Sequence, residues 1–191
     1  MIYKLLVNAI TLLRIVLSFA FTYFILKNAG NLYLLTALFF LIGLSDFIDG
    51  KLARKYEACT KGGAVLDVFA DLLFMISASG ALIMIEAFPA WMLAVILVKF
   101  IEFWCTSSYA RKYRSYNKNT FMFDSLGRKI AVLFYLLPYL SIVLNYAKFK
   151  LWSPYVLNVL CVMISLGAIV SSARRIKVCL RRDSRILHIN F

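Results

Sequence analysis

Asp46, Asp49, Asp67 and Asp71 are four of the nine acidic residues of this chain, and all fall in the stretch DFIDGKLARKYEACTKGGAVLDVFAD, residues 46–71. Both pairs adjoin long apolar runs, where a carboxylate costs about 2.5–3.5 kcal/mol by insertion scales. Asp46 and Asp49 are three apart and Ala53 is four further on, so on a helix they share one stripe; Asp67 and Asp71, four apart, share a stripe on the next. Two helices joined by a short basic turn bring these stripes face to face. Four carboxylates gathered in an apolar setting repel one another unless a multivalent cation sits among them. Oxygen-only ligation favours a hard ion such as magnesium, with manganese or calcium open. Gly50, Ala53, Gly62 and Gly63 carry little or no side chain, which lets a ligand or a facing backbone come close. Arg54 lies about two turns beyond Asp46, and its planar fork suits a phosphate.

The elements that must position these residues are membrane helices. The chain has 191 residues, is 63% hydrophobic and has a mean hydropathy of +0.82, which sets it apart from soluble domains. A span needs about 20 residues, so the length suits one all-α integral membrane domain, residues 1–191, with six transmembrane helices. The spans read as 5–26, 32 to about 49, 62–85, 90–109, a fifth opening at Gly127-Arg128-Lys129, and 152–172. Asp46 and Asp49 then fall in the last turn of the second span and Asp67 and Asp71 in the first turns of the third, near one membrane face.

The net charge of +13 could point to nucleic acid, but its placement points to a membrane surface. Most of the 22 Lys and Arg lie at the N-terminus, in the second and fourth connections and in the tail. The positive-inside rule makes that side, with both termini and both acidic pairs, cytoplasmic. The tail arginines could instead lie on an amphipathic surface helix. Two cations fall inside spans. Arg14 either snorkels along its helix or faces a wet cavity; Lys99 either pairs with Glu102, three residues on, or meets a substrate. Cys59, Cys105, Cys161 and Cys179 have no metal-knuckle spacing and read as small apolar fillers. His188, near the end, reads as a surface residue.

The order D-x-x-D-G-x-x-A-R, eight residues, G-x-x-x-D-x-x-x-D, met here by Asp46, Asp49, Gly50, Ala53, Arg54, Gly63, Asp67 and Asp71, resembles the signature of the CDP-alcohol phosphotransferases at all eight positions. The stretch NAITLLR, residues 8–14, is similar to the N-T-x-x-R opening of the phosphatidylglycerophosphate synthase branch, with Val7 where that opening has proline. The second acidic pair lacks that branch's D-P-x-A-D-K form. The resemblance implies transfer of a phosphatidyl group from CDP-diacylglycerol to an alcohol with release of CMP. It makes Asp46, Asp49, Asp67 and Asp71 ligands of magnesium or manganese, two ions in all, with Asp71 also the base that takes the alcohol's proton. Gly50, Ala53, Arg54 and Gly63 then cradle the cytidine diphosphate.

The acceptor is expected to be glycerol 3-phosphate, with inositol phosphate, inositol or serine as alternatives. Arg111, Arg114, Arg128 and Lys129 are the candidates for an acceptor phosphate, the last two resembling the G-K-x-K segment of the same branch; otherwise they serve as topology anchors. The expected partners are donor, acceptor, the lipid bilayer and a second copy of the chain, in a bacterial cytoplasmic membrane. Two other classes compete. A cation transporter would place its polar groups near midplane in broken helices, and a catalytically silent homologue would not need all eight signature residues.

Overall fold

In lipid every backbone polar group must be satisfied internally, so long apolar runs fold as helices. The computed structural model describes residues 2–28, 31–56, 61–113, 125–146 and 153–187. Those residues form six helices: α1 (Ile2–Asn28), α2 (Leu32–Lys55), α3 (Lys61–Met84), α4 (Ala90–Tyr113), α5 (Ser125–Tyr146) and α6 (Ser153–Leu187). Each contains a stretch long and apolar enough to cross a membrane. The expected all-α, six-span architecture is therefore present.

Several helices run further than expected, α2 and α6 the furthest. α2 continues to Lys55, and α6 continues to Leu187, well past residue 172. Hydropathy falls at residue 49 and at residue 172, but a fall in hydropathy marks a membrane boundary and supplies no helix terminator. Asp46 and Asp49 are consequently not in the last turn of α2. Asp49 lies six residues before its end, and Asp67 six residues after the start of α3; at 1.5 Å rise per residue both sit about 9 Å inside the α2–α3 connection.

α1 is wedged between α2 and α3, while α4 and α5 pack on α6 and on α3. The buried face of α1 reads Thr11, Arg14, Ser18, Phe21 and Ile25, alternating steps of three and four. That is one helical stripe, polar at its upper end and apolar below. α2 answers with Asp49, Ser45, Ile42, Phe39 and Leu35, and α3 with Ala70, Phe74 and Ala78. Small residues at these crossings let the backbones approach, as membrane helix packing requires.

Below the polar end lies a layer of aromatic rings. Phe21, Phe39 and Phe74 meet with centroids 5.5–6.5 Å apart. Tyr135 of α5 sits 4.6 Å from Phe74, and Tyr139 stacks on Phe39 at 4.4 Å. Phe21 follows Arg14 by seven residues and Phe74 follows Asp71 by three, so the rings floor the site. Asn31 caps α2 by accepting from the Leu34 N–H at 3.2 Å. The α3–α4 turn holds Glu86 at φ 56°, and the neighbouring Ala87 carbonyl accepts from Ser141 of α5 at 2.6 Å.

Candidate functional site

Arg14 organises the polar end of the α1–α2–α3 wedge. Its side chain is fully buried, and its guanidinium contacts all four aspartates: Asp46 at 3.0 Å, Asp49 at 2.5 Å, Asp67 at 2.7 Å and Asp71 at 3.1 Å. Thr11, one turn earlier on the same stripe, donates to Asp49 Oδ2 at 3.2 Å. Of the two readings the sequence left for Arg14, snorkelling is excluded. A buried guanidinium is tolerable only when its charge is met, and here the two acidic pairs meet it from two helices through Nη1 and Nη2, while Nε has no hydrogen-bond partner among the described residues.

The four carboxylates are brought together, as their spacing requires. Asp49 is closed off at 4% exposure, whereas Asp46, Asp67 and Asp71 are 47%, 42% and 35% exposed. The cluster thus has a closed side, held by Arg14, and an open one. One oxygen each of Asp46, Asp49 and Asp67 lie within 4.8 Å of one another. An all-oxygen donor set at that spacing fits a hard divalent cation, so the residues present suit a metal ion. Asp71 joins the group through the shared guanidinium.

From Asp67 and Asp71 a cavity of about 160 Å³ runs between α3, α4, α5 and α6. Its wall includes Phe100 and Gly127 and, from α4 and α6, Lys99 and Arg175. These two cations belong to a second buried polar cluster. Lys99 Nζ donates to Glu102 at 2.7 Å, to Ser172 at 2.8 Å and to Ser171 at 3.3 Å. The Arg175 guanidinium lies 3.5 Å from Glu102, donates to Thr106 at 2.7 Å and to Ser107 at 3.2 Å, and rests over the Phe103 ring. Lys99 does pair with Glu102, as the three-residue spacing allowed, and it also faces the cavity.

Other sequence-predicted residues fall differently. Arg128 and Lys129 are exposed at the start of α5, outside the cavity wall that Gly127 before them helps to build. The side chains of Arg54 and Arg111, and the whole of Arg114 and His188, lie outside the described residues. Gly50, Ala53 and Gly63 are half-buried beside the acidic pairs. A Cβ on Gly62 would meet nothing within 4 Å, so close approach of a facing backbone is not what glycine provides there. Cys105 and Cys161 are free thiols.

Arg175 is the residue that sequence reasoning missed. By sequence it reads as one of the tail cations, yet it is buried against α4 because α6 continues through it. Ser171 and Ser172 were the available signal. With Arg175 they place polar groups at positions i, i+1 and i+4 of one helix.

The family model described as CDP-alcohol phosphatidyltransferase matches residues 4–178. The chain is 39% identical over 59 residues to a cardiolipin synthase (CMP-forming) of Streptomyces coelicolor, covering 31% of this chain and 27% of that one. It is 36% identical over 70 residues to a CDP-diacylglycerol–glycerol-3-phosphate 3-phosphatidyltransferase of Haemophilus influenzae, covering 36% and 38%. A protein of the same name from Aquifex aeolicus is 39% identical over 67 residues, covering 35% and 36%. Each match spans less than half of the relative's own length.

Proposed function

Because the chain belongs to the CDP-alcohol phosphatidyltransferase family, we propose that it moves the phosphatidyl group of CDP-diacylglycerol to an alcohol, releasing CMP. The observation that carries this reading is the cavity joining the Asp67–Asp71 edge of the acidic cluster to Lys99 and Arg175. One end suits cations and the nucleotide diphosphate they accompany, and the other suits an anionic acceptor. A cation path would have no use for the basic end.

Asp46, Asp49, Asp67 and Asp71 would hold magnesium or manganese, two ions by the family resemblance, and when bound these supply neutralisation of the donor's pyrophosphate and of the leaving CMP. The chain's own residues do the rest. Asp71, at the junction of cluster and cavity, accepts the proton of the acceptor hydroxyl. The acceptor oxygen bonds to the phosphatidyl phosphorus, and the phosphoanhydride bond to CMP breaks, its electron pair leaving on the CMP oxygen. Gly50, Ala53, Arg54 and Gly63 border the position of the cytidine diphosphate. Lys99 and Arg175 orient the acceptor by its phosphate, which makes glycerol 3-phosphate the preferred acceptor, in keeping with the names of two relatives.

We place the site on the cytoplasmic side of a bacterial cytoplasmic membrane, from the basic connections and tail. The 191 residues act as one transmembrane domain, working as a homodimer by the family resemblance. The test uses purified protein with CDP-diacylglycerol, magnesium or manganese, and in separate reactions glycerol 3-phosphate, inositol phosphate, inositol, serine or phosphatidylglycerol. CMP release is expected with a divalent ion and with glycerol 3-phosphate. Release only with an acceptor that carries no phosphate would overturn the role given to Lys99 and Arg175; no release with any acceptor would overturn the activity.

A further inference from the structure

We propose that Arg14 is a positioning residue that assembles the two acidic pairs into one basket before any divalent ion arrives. The inference rests on the reading of the cluster as a metal site, and goes beyond it by assigning the organiser. Nη2 takes the α2 pair, meeting Asp46 Oδ1 at 3.0 Å and Asp49 Oδ2 at 2.5 Å. Nη1 takes the α3 pair, meeting Asp67 Oδ1 at 2.7 Å and Asp71 Oδ1 at 3.1 Å. Each nitrogen of the fork therefore serves one helix, and the rigid plane between them fixes how the helices face each other. A lysine would bring the same charge as a single point and could not span both pairs in this way.

The fork leaves room for an ion. It meets each aspartate most closely through one oxygen, and a carboxylate has about four lone-pair positions over two oxygens. The guanidinium is wholly buried, while three of its four partners are one-third to one-half exposed. It lies on the closed side of the basket and the open side faces away from it. Among the described residues four carboxyl groups share one guanidinium, so the basket is assembled with more acidic groups than Arg14 alone can match.

A competing account makes Arg14 only a rival of the metal for the same carboxylates, and the two differ in sign. A rival, when removed, lets the ion bind more tightly; an organiser, when removed, lets it bind more weakly. The experiment measures manganese binding to the purified full chain by electron paramagnetic resonance, comparing wild type, Arg14→Lys and Arg14→Gln. Arg14→Lys, with the charge kept and the fork lost, is expected to bind at least about tenfold more weakly, and Arg14→Gln more weakly still.

Arg14→Lys within twofold of wild type, or Arg14→Gln tighter than wild type, overturns the proposal. No manganese binding by wild type overturns the underlying reading of the cluster, a result distinct from unchanged binding in the variants. Should the variants fail to fold, a second measurement stands on the wild-type Arg14. Spin labels at Lys51→Cys and Gly62→Cys, both exposed sites, in a chain whose four native cysteines are alanine, report the α2–α3 separation. The same separation with and without manganese is expected. Contraction only on adding the ion overturns assembly by Arg14.

Discussion

Among the described residues two ionic clusters form in this bundle, one open on one side and one buried, and they are opposite in charge. Between α1, α2 and α3 a single guanidinium, Arg14, faces four carboxylates; between α4 and α6 a single carboxylate, Glu102, faces Lys99 and Arg175. Each is held together by its minority charge, and each keeps an excess of the other sign. Buried ionic groups are usually balanced, because uncompensated charge in an apolar medium is costly. Where the excess is kept in lipid, it is best understood as what a ligand completes. Under the proposed function the first cluster takes cations and the second an anionic acceptor, and one cavity is lined by members of both.

The comparison breaks most readily at the acidic cluster. Asp71→Asn and Asp67→Asn are expected to reduce CMP release by about 10³-fold or more, since each removes a carboxylate from the basket and Asp71→Asn also removes the proposed proton acceptor. Activity persisting in both would remove the proposed mechanism. At the basic cluster, Glu102→Gln deletes the minority charge that holds Lys99 and Arg175. Thermal unfolding in detergent should show a loss on the order of 3 kcal/mol, and the KM for a phosphate-bearing acceptor should rise because Lys99 and Arg175 are no longer held together.

Lys99→Gln sharpens the assignment further. A charge-assisted hydrogen bond is worth about 1.5–3 kcal/mol, so steady-state kinetics should show the acceptor KM rising about tenfold to a hundredfold, with the KM for CDP-diacylglycerol little changed. Equal changes in both would place Lys99 outside the acceptor end. The smallest effect is expected between the clusters and away from the cavity. Tyr139→Phe loses one contact, the 3.2 Å hydrogen bond to Thr36, and should lower stability by about 0.6 kcal/mol with kinetics unaltered.

The two clusters also differ in how far the sequence discloses them. The aspartates are legible because helical spacing alone aligns each pair and a fixed connection joins the two helices; only the α2 pair lies deeper than the sequence suggests, Asp49 standing six residues before the end of its helix. Arg14 was ambiguous because a lone cation in a span reads the same whether it snorkels or pairs, and its partners lie 32 to 57 positions away. The Lys99–Glu102 pair is local and was foreseen. Arg175 was not, since six closely spaced cations after residue 172 look like a membrane anchor, and Ser171 and Ser172 are a faint signal against that run, in which Arg174 and Lys177 are indeed exposed. Long-range pairing is what a one-dimensional pattern withholds, and in both clusters the missing member was an arginine reached across the bundle.

The claim on which the rest depends is that the α2 and α3 aspartates share a divalent ion. Anomalous diffraction from crystals grown with manganese tests it directly. The account predicts anomalous density between Asp46, Asp49 and Asp67, within coordination distance of both helices. Manganese density elsewhere in the chain, with the acidic pairs holding only Arg14, would contradict it.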